Sequence, residues 1–421
     1  MTLFAIEGAA GCGKTVRLIA ALREALSEAP LRDGQRVLAL TFMHGARRRL
    51  HDKLRDIVDL RGRLHCVTVD SFAQRLVMRW RGLGTTLGVT ALQPDQYDEQ
   101  CDAAGLLLEQ SEVAGWVAAS FPIVLVDEAQ DLKPQRLRMI SALTGSTRLM
   151  VAADDFQCLD PSLRPSPCVI WLRQACTPVE LTQIHRTSMS GLLTAAAAIR
   201  AGNAPADGQG FKILAAKGLG MAAVFLANAI AWRHEGEVAV ITPSMSGGFA
   251  QGVVACVGKK ALGKKQNGPY TIHWERSEEN ETDALLAEFQ LGDSASLADT
   301  ITALRQLPAS GVVRGVMGWA RRQAHAAGVT SFNRAEVAAA VRRHVVLRRQ
   351  HAGSNQAKFA AMTVQQAKNR EFEGVVVLWP YQVGGDAEHK RRLLYNAITR
   401  ARRWCTVVLQ SENLLRVAPF A

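Results

Sequence analysis

The chain has 421 residues, 48% of them hydrophobic, and a formal net charge of +12. That is enough apolar material for two or three domains, and the positive balance suits either a polyanionic partner, nucleic acid first, or a basic, arginine-rich proteome. No run of about 18 apolar residues occurs, so no membrane span is expected. None of Cys12, Cys66, Cys101, Cys158, Cys168, Cys176, Cys256 and Cys405 forms a C-x-x-C pair, which argues against a zinc ribbon or a disulfide framework and for reduced thiols in the cytoplasm.

Residues 2–6 read as a short buried strand, leaving no room for a signal peptide before it. Gly8-Ala9-Ala10-Gly11-Cys12-Gly13-Lys14-Thr15 follows and fits G-x-x-x-x-G-K-[ST]. Residues 16–29 then read as a helix with Leu18, Ile19, Leu22 and Leu26 on one stripe. Strand, glycine-rich loop and helix are the setting of a phosphate-binding P-loop. Gly8, Gly11 and Gly13 let backbone N–H groups wrap a phosphate, and the helix N-terminus adds partial positive charge. Lys14 is expected to reach the β- and γ-phosphates, and the Thr15 hydroxyl to ligate Mg²⁺.

Residues 36–41 are the next strand, followed by a basic helix through Arg47, Arg48, Arg49, Lys53 and Arg55. Residues 64–69 are a strand leading into a helix from 71 to about 80. Residues 81–118 look like an insertion with one helix near 95–112. Residues 122–126 form a continuous apolar run, as a parallel strand buried on both faces requires. Asp127 and Glu128 follow it directly, at the carboxyl end where such sheets bind ligands. One carboxylate suits Mg²⁺ and its neighbour suits proton abstraction from the attacking water; Asp127 is assigned to the metal and Glu128 to the base. Residues 148–153 are the next strand, so this half reads as a doubly wound α/β sheet.

A second α/β unit starts near 180, with strands at 237–241, 361–364 and 374–378 and a last one, 405–409, closing the sheet. Residues 276–356 turn helical and charged and read as an insertion. Arg342, Arg343, Arg348 and Arg349 in it suit a solvated face or phosphate contacts equally.

The ordered motifs make the chain similar to the superfamily 1 helicases of the UvrD/Rep type, over most of its length. Leu40-Thr41-Phe42-Met43-His44-Gly45-Ala46 resembles L-T-F-T-N-x-A, and Thr68-Val69-Asp70-Ser71-Phe72 resembles T-x-H-S-F with Asp70 in place of histidine. Asp127-Glu128-Ala129-Gln130-Asp131 resembles D-E-x-Q-D, and Ala153-Asp154-Asp155-Phe156-Gln157 resembles G-D-x-x-Q. His185-Arg186-Thr187 stands at Y-R-S. Residues 362–372 resemble M-T-x-H-x-A-K-G-L-E-F, and Leu394-Tyr395-Asn396-Ala397-Ile398-Thr399-Arg400-Ala401 resembles L-Y-V-A-x-T-R-A. The resemblance implies two RecA-like P-loop NTPase lobes with small helical insertions, one over 1–180 and the other over 181–421, around ATP and Mg²⁺. It implies that Gln157 links the γ-phosphate to the DNA site, that His185 stacks on adenine, that Arg186 meets the γ-phosphate, that Glu371 meets the ribose, and that Arg400 is an arginine finger. Thr41, Phe42, Ser71, Phe72 and Thr363 are its candidate contacts to single-stranded DNA, with Phe72 also reading as core.

Departures bear on the DNA side. Asp160, followed by Pro161, stands where an aromatic usually stacks on DNA. Gln365 and Asn369 replace histidine and glycine. On the nucleotide side, the glutamine motif before the P-loop has no room, which bears on selectivity for adenine. The reading is an ATP-dependent helicase or translocase moving 3′ to 5′ on single-stranded DNA, with a duplex junction or a protein partner as further ligands. The alternatives are a DNA-sensing ATPase subunit of a phage-defence or repair complex, and an ATP-dependent DNA clamp. A small-molecule kinase would leave Gln157 and both arginine motifs without a role.

Overall fold

The computed structural model describes residues 3–42, 44–90, 92, 96–232, 236–275, 278–351 and 358–421. Thr2 of the expected first strand and Met43 of the L-T-F segment lie outside them. Twelve named strands form two sheets. In the first are β1 (Leu3–Gly8), β2 (Val37–Thr41), β3 (Leu64–Thr68), β4 (Ile123–Val126), β5 (Arg148–Ala153) and β6 (Val179–Leu181), all parallel, in the order β3-β2-β4-β5-β1-β6. In the second are β7 (Phe211–Ala215), β8 (Val238–Thr242), β9 (His273–Trp274), β10 (Phe359–Thr363), β11 (Phe372–Trp379) and β12 (Ala401–Leu409), also parallel, in the order β7-β12-β11-β8-β10-β9.

The apolar runs are explained by burial on both faces. Leu38, Leu40, Val124 and Val126 join one core of the first sheet, while Val37, Ala39, Ile123 and Leu125 join the core on its other side. The same alternation divides the second sheet: Ala239, Ile241, Val375 and Val377 face one core, and Val238, Val240, Val376 and Leu378 the other. Each of the valine, leucine and isoleucine side chains contributes about 1.5–3 kcal/mol when fully buried. Helices cover both faces of both sheets, and each layer set is a RecA-like α/β lobe.

Several sequence expectations need correction. Val69 opens the helix Val69–Arg79 rather than ending a strand, because Thr68 caps it by accepting from Ser71 N. Among the described residues between 81 and 120 are three helices, Arg81–Thr86, Tyr97–Leu108 and Ser111–Ser120, the last two separated where the expected single helix would run on. β12 does not close its sheet, since β7 pairs outside it from Cys405 to Leu409.

Both sheets with their helices make one compact unit, and the helices between 278 and 351 make a second. In that second unit Glu278–Ala287, Leu297–Gln306, Gly311–Ala327 and Arg334–His351 surround a core of Phe289, Leu304, Val316, Phe332 and Val341. Arg343 lies over the Trp319 ring and Arg348 pairs with Glu281, so two of the four arginines have partners within the unit. The Arg349 side chain lies outside the described residues. Among the described residues, no helix is long and apolar enough to cross a membrane.

Candidate active site

The P-loop runs from the end of β1 into the helix Lys14–Glu28. Gly11 and Gly13 both have φ of +81°, a left-handed conformation that favours glycine. The space is tight as well: a Cβ on Gly11 would stand 2.7 Å from Cβ of Arg186. The segment carrying His185 and Arg186 is held against the loop by a hydrogen bond from His185 N to Gly11 O, 2.8 Å. Lys14 is 7% exposed, and its Nζ donates to Gly8 O and Ala9 O at 2.8 and 3.2 Å. It also stands 3.8 Å from Asp154.

β4 delivers Asp127 and Glu128 to the same place. Thr15 Oγ1 donates to Asp127 Oδ2 at 3.0 Å, so the two residues expected to hold the metal are neighbours. Burial pushes the Asp127 carboxyl up to about 6, and the Glu128 charge adds to this against the Thr15 hydrogen bond. Burial pushes Glu128 up too, but Lys14, Lys368 and the Gln130 hydrogen bond outweigh it, leaving the group below the usual glutamate range. Glu128 has φ of 60°, a strained conformation for a residue with a side chain, of the kind found at functional sites. Gln130 supports it: Nε2 donates to Glu128 Oε2 at 2.7 Å while Oε1 accepts from Asp154 N at 2.9 Å.

Arg400 stands just before β12, and Arg186 lies in the segment between β6 and the helix Ser190–Ala201. Arg400, 2% exposed, donates from Nη2 to Gln157 Oε1 at 3.1 Å and from Nε to Asn396 O at 2.9 Å. Its burial lowers its pKa to about 10, with Arg186 nearby acting in the same direction, which leaves it protonated near neutral pH. Arg186 donates to Thr399 O at 2.8 Å and pairs with Glu371 at 2.9 Å. Among the described residues its buried Nε has no hydrogen-bond partner. Lys368 crosses to Asp131 at 2.7 Å, and Arg392 crosses to Asp155, also at 2.7 Å. The bonds Arg400–Gln157, Lys368–Asp131 and Arg392–Asp155 thus tie the second lobe to the first. Glu371, expected at the ribose, is engaged by Arg186 and by Arg402 at 3.0 Å.

The DNA-side candidates are less uniform. Thr41 and Thr68 end adjacent strands in register, which sets Phe42 and Ser71 at one edge of the first sheet. Thr41 is itself 1% exposed. Phe72 is 3% exposed and edge-on to Phe121 at 6.3 Å, so it is a core residue and offers no ring face to a base. Thr363 ends β10 in the other sheet and caps the helix Val364–Ala367 in a reciprocal box with Gln366. Asp70 accepts from Arg136 Nη2 at 2.9 Å, so an ion pair with that arginine occupies the position where the motif has histidine. Asp160 caps a turn, accepting from Ser162 N at 2.9 Å and Ser162 Oγ at 2.7 Å. Trp171 packs against the first-lobe core.

Residues 1–219 match a family model described as AAA domain, and residues 358–408 match the UvrD-like helicase C-terminal domain. The first match alone takes in more than half of the chain. The chain belongs to the AAA-domain family and, with the C-terminal match, to the superfamily 1 helicases of the UvrD/Rep type. No curated protein matches this helicase-family chain in sequence. Among solved structures it is similar to the Arterivirus nonstructural protein 10 helicase in complex with DNA, at 12% identity over 99% of this chain and 62% of that one, with a TM-score of 0.39. It is similar also to a crystal structure of Arterivirus nonstructural protein 10 (helicase), at 12% identity over 100% of this chain and 62% of that one, with a TM-score of 0.40. The chain spans less than two thirds of the length of these viral helicases.

Four residues of this superfamily 1 site escaped the motif reading. Asp154 and Gln130 lay within matched motifs without an assigned role, and Tyr395 likewise. Arg200 had no local signal: it stands in an alanine-rich helix, Ser190–Ala201, and only its approach to Asp154 at 2.8 Å reveals it.

Proposed function

We propose that the chain is an ATP hydrolase that couples nucleotide turnover to 3′-to-5′ movement on single-stranded DNA. The observation that supports this most is the convergence of Lys14, Thr15, Asp127 and Glu128 from one lobe with Arg186 and Arg400 from the other, joined through Gln157. Phosphates of ATP fit the Gly11 and Gly13 loop beside Lys14, and the buried, unpartnered Nε of Arg186 fits an anion. Thr15 and Asp127 are hard oxygen donors and fit Mg²⁺, which when bound neutralises charge on the phosphate oxygens. Glu128, held ionised, accepts the proton of the attacking water, and Gln157 is placed to orient that water while bonded to Arg400. Arg186 and Arg400 meet the γ-phosphate across the cleft, so its loss releases the grip between lobes. His185 offers its exposed ring to the adenine, and Glu371 reaches the ribose once it leaves Arg402. Thr41, Phe42, Ser71 and Thr363 meet the DNA strand.

A second reading, a DNA-sensing ATPase subunit of a larger phage-defence or repair assembly, is favoured by Asp160: its carboxylate is committed to a turn where an aromatic would grip a base. The deciding experiment is ATP turnover by the purified chain with no nucleic acid, with single-stranded DNA and with RNA. Turnover stimulated by DNA supports the motor reading; turnover indifferent to both polymers overturns it.

A further inference from the structure

Arg200 lies outside every matched motif. Its Nη1 donates to Asp154 Oδ1 at 2.8 Å and reaches the Tyr395 hydroxyl at 3.4 Å. The guanidinium stands 5.4 Å from the Phe156 ring centroid and 5.8 Å from that of Tyr395, so two aromatic rings hold its plane. The Tyr395 hydroxyl in turn accepts from the P-loop N–H of Ala10 at 2.9 Å. Asp154 has a fully buried side chain, and its carboxylate also accepts from Gln157 Nε2 at 2.8 Å and from Phe156 N at 3.2 Å, with Lys14 Nζ 3.8 Å away. The contacts close a ring: P-loop, Asp154, Arg200, Tyr395, P-loop. Asp154 comes from the end of β5 in the first lobe; Arg200 and Tyr395 come from helices of the second.

We propose that Arg200 is a positioning residue of the ATP site, which neutralises Asp154 from the second lobe and so frees Lys14 for the nucleotide phosphates. This rests on the ATP-hydrolysing function proposed above. A buried carboxylate is costly unless paired, and one set beneath a P-loop both attracts the loop lysine and repels the phosphates. The 2.8 Å charge-assisted bond from Arg200 removes that conflict while the lobes are together. When the lobes part, Arg200 leaves with the second, Asp154 captures Lys14, and the phosphates lose their cation. Phosphate affinity then depends on lobe closure and, reciprocally, nucleotide favours closure. Burial alone would push the Asp154 carboxyl up, but Lys14 and Arg200 outweigh it, so the charge in need of a partner is present at neutral pH.

The test is a set of three variants, Arg200→Ala, Arg200→Lys and Arg200→Ala with Asp154→Asn, followed by ATP turnover kinetics and by titration with a fluorescent, slowly hydrolysed ATP analogue. Arg200→Ala is expected to raise KM and the analogue Kd by about tenfold, within the usual span of site-to-site coupling, with a smaller change in kcat. Arg200→Lys keeps the charge and should recover most of the loss. Adding Asp154→Asn to Arg200→Ala removes the charge that needed compensation and should move KM back toward the parent value, an outcome that a merely structural arginine does not produce. Parent-like KM in Arg200→Ala, or no recovery in the double variant, overturns the inference while leaving the proposed function standing. A parent chain that neither binds nor hydrolyses ATP overturns both.

Discussion

In the proposed site Lys14 and Glu128 serve the same phosphate through opposite charges, and their removal should therefore fail differently. Lys14→Ala loses charge compensation and is expected to lose both nucleotide binding and turnover. Glu128→Gln keeps the shape and the Gln130 contact but cannot take a proton, so it should bind nucleotide and fail to hydrolyse it. Phosphate release measured beside nucleotide titration separates the two, and parent-rate hydrolysis by Glu128→Gln would place the base elsewhere. Arg400→Ala should cut turnover by about 10³–10⁵ if the finger is fully used, with a much smaller loss of ATP affinity. Because Arg400 also bonds Asn396 O near the end of its helix, the charge-preserving Arg400→Lys belongs beside it; a loss of less than about tenfold in Arg400→Ala would mark a structural arginine. At this scale local motifs were enough to name the P-loop, carboxylate and arginine candidates. Phe72 read both as a DNA contact and as core, and its burial beside Phe121 decides for core.

Among the elements, strand interiors were legible because a parallel strand with both faces covered needs an unbroken apolar run. Their ends were not: β10 begins at Phe359 and β12 at Ala401, before the apolar cores of those runs. β6 is exposed over Val179 and Glu180 and carries no run at all; it exists because β1 offers it an edge. Two substitutions probe the elements directly. A Cβ on Gly374 of β11 would lie 2.1 Å from the Trp404 ring, so Gly374→Ala is expected to destabilise the second sheet by about 1–3 kcal/mol through overpacking, seen as a lower Tm. Thr363→Ala removes the cap of the helix Val364–Ala367 and should cost about 0.5–2 kcal/mol. Thr363→Ser should restore the cap; if the residue also meets DNA, strand affinity falls with Ala and recovers with Ser.

For the whole molecule, charge and lobe geometry set the expectations. Arg47, Arg48, His51, His65 and Arg75 line a cavity of about 370 Å³ beside residues 64–67 of β3. Single-stranded DNA binding is therefore expected to weaken steeply with salt, each neutralised phosphate adding a slope of about −0.7 in log K against log salt. A slope near zero in a fluorescence-anisotropy series would assign the positive charge to another task. The chain is also expected to hydrolyse ATP better than it separates strands, because stacking is worth about 1–3 kcal/mol per base and Asp160 is tied into a turn where such a ring would stand. A duplex with a 3′ single-stranded tail, assayed alongside ATP turnover, checks this; fast unwinding by the chain alone would refute it.

By itself the sequence determined the P-loop, the carboxylates after β4, the arginine motifs and their order along the chain, because each is a local pattern whose chemistry is carried by residues a few positions apart. Tertiary structure alone decided the strand order of each sheet, the pairing of Asp70 with Arg136, and the ring through Arg200. The reason is separation along the chain. Ala10 and Tyr395 stand 385 positions apart, and Asp154 and Arg200 belong to different lobes. Only the packing of one lobe on the other turns an arginine among alanines into a counter-charge for a buried aspartate.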